Sequence, residues 1–116
     1  MKKSYFLKYG CTLCKQEIKE MFENKWDFDC TEHDSTYFGV YFKYSGLYAD
    51  TLLIKDNNVS TPYQEWLDED NKHFCTLVEV SITSGRNKDK LSKYKFLKGA
   101  FNSEVFSLIS DKCLEE

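Results

Sequence analysis

Apolar positions along this chain follow two rhythms, one of period two and one close to 3.6. Residues 3–9 are short and aromatic-rich and read as a strand. Over residues 11–24 the spacing turns helical: Cys14, Ile18, Met21 and Phe22 share a stripe, with Lys15, Glu17, Lys19, Glu20 and Glu23 on the other side. Residues 26–31 alternate, Trp26, Phe28 and Cys30 against Asp27, Asp29 and Thr31, which predicts a half-buried strand with an acidic outer face. Residues 37–44 are nearly all β-formers, Ser45-Gly46 reads as a turn, and residues 48–55 read as the returning strand. Asp56-Asn57-Asn58 ends it with turn chemistry, and residues 59–72 read as a loop holding the only proline, Pro62. Residues 73–83 read as a strand with Phe74, Thr76, Val78, Val80 and Ile82 on one face. Residues 88–98 form a weak helical pattern through Leu91, Tyr94 and Leu97, with Gly99 suited to its C-terminal cap. Residues 105–110 read as a last strand, a helix capped by Ser103 being the alternative.

Hairpin connections dominate this order. The expected fold is therefore α+β: a mainly antiparallel sheet of five or six strands with two helices packed on one face. The length of 116 residues suits a single domain over 1–116. Nine Phe, eight Tyr and two Trp supply an aromatic core, and one proline with five glycines argues against disorder. Lys2 and Lys3 precede only a short apolar run, so no export signal is expected. With no stretch of membrane-span length, the five cysteines are expected as reduced thiols in the cytoplasm.

The net charge of −3 conceals a strong asymmetry. Residues 17–70 hold thirteen acids and four lysines, whereas residues 86–98 hold six cations and only Asp89. The basic stretch (Arg86, Lys88, Lys90, Lys93, Lys95 and Lys98, with Tyr94 and Phe96 interleaved) nominally suits phosphate contact and base stacking. The acidic flank would repel a polyanion, so a solvated helix whose lysine stems cover the core edge is the preferred reading.

Two cysteine patterns carry possible chemistry. Cys11-Thr12-Leu13-Cys14 follows a predicted strand and opens a predicted helix, where a helix N-terminus favours thiolate. Tyr9-Gly10-Cys11-Thr12-Leu13-Cys14 resembles the opening of glutaredoxins, with Thr61-Pro62 about where that family carries a proline loop. The hairpin over residues 37–55 and the missing paired glycines depart from it. Thiol oxidoreduction through Cys11 and Cys14 is thus the alternative function, set against plain core packing. Cys11, Cys14, Cys30 and His33 have a spacing that zinc accepts, but strand neighbours at the second pair would point to opposite faces. No metal or cofactor is expected. His33 and His73 are the only histidines, no nucleophile–base signature surrounds them, and no enzymatic activity is expected.

The acids suggest a cationic partner. Asp27 and Asp29 are expected on one strand face, Asp34 just beyond it, and Asp68, Glu69 and Asp70 in a loop near Glu65. Tyr63 and Trp66 are the expected anchors of a protein interface, with Tyr37 and Tyr48 as further aromatic candidates.

Residues 37–57 pair an aromatic-glycine-aromatic strand with a short glycine turn and then Ala49-Asp50-Thr51-Leu52-Leu53-Ile54-Lys55-Asp56-Asn57. This stretch, about a fifth of the chain, resembles small bacterial immunity proteins that neutralise polymorphic toxins, including those of contact-dependent growth inhibition. The resemblance implies a cytoplasmic inhibitor, monomeric when free, that binds one toxin domain and contacts neither nucleic acid nor membrane. Many such toxins are nucleases with cationic clefts, which an acidic surface can plug. The family shares no fixed binding positions, so Asp27, Asp29, Asp34, Tyr63, Trp66, Asp68, Glu69 and Asp70 rest on charge and residue type alone.

Overall fold

Period-two burial builds β1 (Lys3–Cys11), which buries Tyr5, Leu7, Tyr9 and Cys11 on one face. The computed structural model describes residues 1–116. After β1 come α1 (Lys15–Trp26), β2 (Thr31–Ser35), β3 (Gly39–Tyr44), β4 (Thr51–Asp56), a 3-10 turn at Glu69–Asn71, β5 (Thr76–Ile82), α2 (Asn87–Ala100) and β6 (Phe106–Glu115). The strands form one sheet in the order β2-β3-β4-β5-β1-β6, with every pairing antiparallel. Both helices cover the same face, α1 over β3 and β4, α2 over β1 and β5. This is the α+β architecture that the pattern predicts. No helix is long and apolar enough to cross a membrane.

Aromatic rings knit the covered face together. Phe22 of α1 is fully buried, its ring centre 5.4–5.8 Å from those of Trp26, Phe28, Phe101 and Phe106. Such pairs add about 0.5–1.5 kcal/mol each beyond the area they bury. Phe28 in turn stacks on Tyr44 at 4.3 Å and contacts Tyr48 at 5.4 Å. A polar clamp holds α2 to the edge of the sheet: Asp111 of β6 accepts from Tyr94 at 2.7 Å and Lys98 at 2.8 Å.

Several element boundaries differ from the expected ones. The segment 26–31 is not a strand. α1 runs on to Trp26, and Asp27 then turns left-handed at φ 57°. Its N–H and that of Phe28 bond the carbonyls of Glu23 and Phe22, closing the helix end. Phe28 and Cys30 are still buried while Asp27 and Asp29 are exposed, so the alternation reports burial along a turn. The strand follows later, at Thr31–Ser35. Tyr37 and Phe38 lie in the β2–β3 turn, and β3 starts only at Gly39, whose φ of 71° suits glycine. The returning strand β4 starts at Thr51, not at residue 48. α1 starts at Lys15, because Cys11 still belongs to β1. Gly99 lies inside α2, which ends at Ala100 with Phe101 as its C-cap. β6 runs on to Glu115, five residues past its expected end, since Asp111–Glu115 pair with Lys3–Leu7 of β1.

Phe74 precedes β5 and covers the opposite face of the sheet from Val78, Val80 and Ile82. Its ring lies where a Cβ on Gly10 would sit, which explains that glycine by close approach.

Lys90 of the basic stretch is wholly buried in α2, and its ammonium has no hydrogen-bond partner. An unpaired buried polar group costs about 1–3 kcal/mol, more when charged. Replacing it by the similarly long Met, Lys90→Met, is expected to stabilise the fold by about 1–3 kcal/mol. Chemical denaturation checks this, as a raised midpoint at unchanged slope.

Candidate functional site

Asn57 organises the largest irregular segment, the loop between β4 and β5. It is wholly buried. Its Nδ2 donates to the carbonyls of Asn71 at 2.9 Å and Phe74 at 3.0 Å, and its Oδ1 accepts the Asp68 N–H at 2.8 Å. Its backbone adds bonds with Cys75 and Leu67, both 2.9 Å. One side chain thus satisfies several loop groups that would otherwise be orphaned. At the far end of the loop, Thr61 Oγ1 and Gln64 Nε2 donate to the Tyr37 carbonyl at 3.3 and 3.1 Å.

That tie joins the loop to the β2–β3 turn and sets Tyr37 beside Tyr63, with ring centres 5.0 Å apart. Both rings stand clear of the body, 59% and 64% exposed. Exposed Val40 follows on β3, opposite Asp34 in the β2 register. Asp34 is exposed on β2, and Glu65, Glu69 and Asp70 are exposed along the β4–β5 loop. Two adjacent aromatics on anchored turns lose little entropy on binding, which suits a protein contact.

The predicted acidic set does not gather into one surface. Asp27 caps α1, and Asp29 follows it at the Tyr44 end of β2 and β3. Asp34 lies at the other end of β2, about five extended residues or roughly 16 Å away. Asp68 is spent on the fold: its carboxylate meets Lys8 at 2.9 Å and accepts from Asn71 at 3.0 Å. Glu69 and Asp70 are free and exposed on the 3-10 turn. Tyr63 is exposed as expected of an anchor. Trp66 is half-buried, bridged to Asn58 and covered by Lys72. The exposed members are therefore Asp34, Tyr63, Glu69 and Asp70, together with Tyr37 and Glu65, which the sequence marks only as secondary candidates, and Val40, which it does not mark. Tyr37 hides within an apparent strand in the sequence, and only its neighbouring glycine hints at a turn.

The cysteines separate. Cys11 is buried in β1, and burial pushes its thiol up to about 12. That is the reverse of the stabilised thiolate that disulfide exchange needs. Cys14 precedes α1, exposed, with its thiol directed to Glu17 at 3.0 Å. Cys30 is buried and likewise raised to about 11, mainly by burial. His33 lies exposed on the edge strand β2, so Cys11, Cys14, Cys30 and His33 form no metal cluster.

A polar depression of about 280 Å³ is lined by Asp29, Thr31, His33, Lys43 and Ser45. Thr31 Oγ1 lies 3.0 Å from His33 Nε2 and donates to the Lys43 carbonyl at 3.2 Å.

Compared with known proteins, the chain matches no family model, no curated protein and no solved structure.

Two expectations test this arrangement. A thiol reagent should react quickly with Cys14, Cys75 and Cys113 and reach Cys11 and Cys30 only on unfolding, giving three fast thiols of five. Burial raises the Asp68 pKa, but hydrogen bonds from Lys8 and Asn71 outweigh it and hold the carboxyl below its ordinary 3.8. Such a group stabilises the fold above its unfolded pKa and loses that contribution as pH falls through the folded value. Asp68→Asn should therefore lower the urea midpoint at pH 7, with the gap to wild type closing below about pH 4.

Proposed function

We propose that this chain is a protein-binding inhibitor of the immunity type. It binds one cognate toxin domain in the cytoplasm of the cell that makes both. The paired exposed rings of Tyr37 and Tyr63 carry this reading. Asn57 anchors their loop at one end, and Thr61 and Gln64 anchor it at the other, so the rings are held in place before a partner arrives. Exposed Asp34, Glu65, Glu69 and Asp70 complement a cationic partner surface, as in a nuclease cleft. The carboxylates speed encounter, and burial of the two rings slows release. The resemblance over residues 37–57 supports the same reading, because it covers the turn, β3 and β4 that carry Tyr37 and Val40.

The partner to test is the C-terminal domain of any very large secreted protein encoded by the preceding reading frame. The wild-type chain is expected to rescue growth of cells expressing that domain and to bind it one to one. Combined Tyr37→Ala and Tyr63→Ala should weaken binding at least about a hundredfold while circular dichroism stays native. Asp34→Lys with Glu69→Lys and Asp70→Lys should slow association and flatten its salt dependence, with little change in dissociation rate. A wild-type chain that neither binds nor rescues would remove the immunity reading.

A further inference from the structure

We infer a second protein-docking site in the groove between α2 and the β3–β4 turn, one that takes an acidic segment bearing apolar side chains. The groove is about 510 Å³ and lined by Leu47, Tyr48, Asp89, Ser92, Lys93 and Phe96. A volume of this size accommodates two or three side chains. It lies at the opposite end of β3 from Tyr37 and Tyr63, so it is separate from the surface proposed above.

Three observations give the occupant its chemistry. Large apolar groups are left open to water here: Leu47 is 75% exposed and Phe96 39%. The floor is firm, because Phe96 stacks on Tyr48 at 4.7 Å, Tyr48 meets Phe28, and Phe28 meets the buried Phe22. The ring presented to a partner is thus the outer end of an aromatic chain that begins in the core. Finally, the charge along this helix is in positive excess. Lys93, in the groove wall, acts on the Asp50 carboxylate without a close ion pair, Lys88 and Lys95 are exposed on the same helix with no ion pair, and Arg86 and Lys98 are held by Asp89 and Asp111. The groove's one acid, Asp89, is thereby matched by Arg86 at 3.1 Å.

Apolar floor and cationic rim together fit a peptide with carboxylates beside a Leu, Phe or Trp. The apolar contact supplies most of the affinity, and the lysines supply register and encounter rate. Single-stranded nucleic acid fits less well, because Leu47 offers no stacking face and Lys90, central in the basic stretch, is buried.

The test is selection from a displayed library of random twelve-residue peptides on the purified full chain, followed by fluorescence polarisation with the enriched peptides. The expected result is enrichment of acidic sequences with one or two large apolar residues. Their binding should fall about tenfold or more with Leu47→Asp or with Phe96→Ala. Lys93→Glu with Lys95→Glu should weaken it by a similar factor and reduce its salt dependence. Tyr37→Ala with Tyr63→Ala should leave it unchanged, which separates this site from the toxin-binding reading. No enrichment, enrichment of basic or wholly apolar sequences, or indifference to the groove substitutions would overturn the proposal. So would tighter binding of an oligouridine probe, lost in the same variants.

Discussion

Everything on the covered face of the sheet closes around the ring of Phe22. This one side chain meets the last turn of its own helix through Trp26, the following turn through Phe28, the end of α2 through Phe101 and the start of β6 through Phe106. These are the points where the chain leaves one element and enters another. The core is thus tied at its connections as well as along its strands. It also explains why Asp27 accepts a left-handed backbone: turning there swings Phe28 under Phe22.

Element types could be read from the sequence because each apolar rhythm is long compared with the noise in it. β5 and α1 carry clear period-two or helical spacing, β1 and the weaker pattern of α2 less so, and all four appear near their expected places. Boundaries were less legible. The alternation through Trp26, Phe28 and Cys30 is a true burial pattern, yet a turn beneath two aromatic neighbours produces it as readily as a strand. Tyr37 and Phe38 have high β propensity but sit in a turn, since the register of β2 on β3 leaves three residues to reverse the chain. Tertiary pairing decided these cases over local preference.

The candidate site was legible only in part, for a related reason. Composition marks acids and aromatics but not which of them the fold consumes. Asp68 looks no different from Asp70 in the sequence, yet it is held by Lys8 while Asp70 remains free. Lys90 looks no different from Lys88, yet it is buried. The separation of charge along the chain nevertheless persists in space. Asp34, Glu69 and Asp70 belong to the end of the sheet with the Asn57 loop, and the unpaired lysines belong to α2.

The place of β1 in the sheet has a temporal consequence. Its two neighbours, β5 and β6, are the last strands in the chain, and it pairs with residues as distant as Glu115. During synthesis β1 has no native partner until more than sixty further residues have followed it. The β2–β3–β4 hairpins can form early and locally, but Tyr5, Leu7 and Tyr9 must wait, shielded by transient contacts or a chaperone. Closure of the sheet is therefore a late, concerted event, and assembly of this small body is governed by the return of its tail to its head.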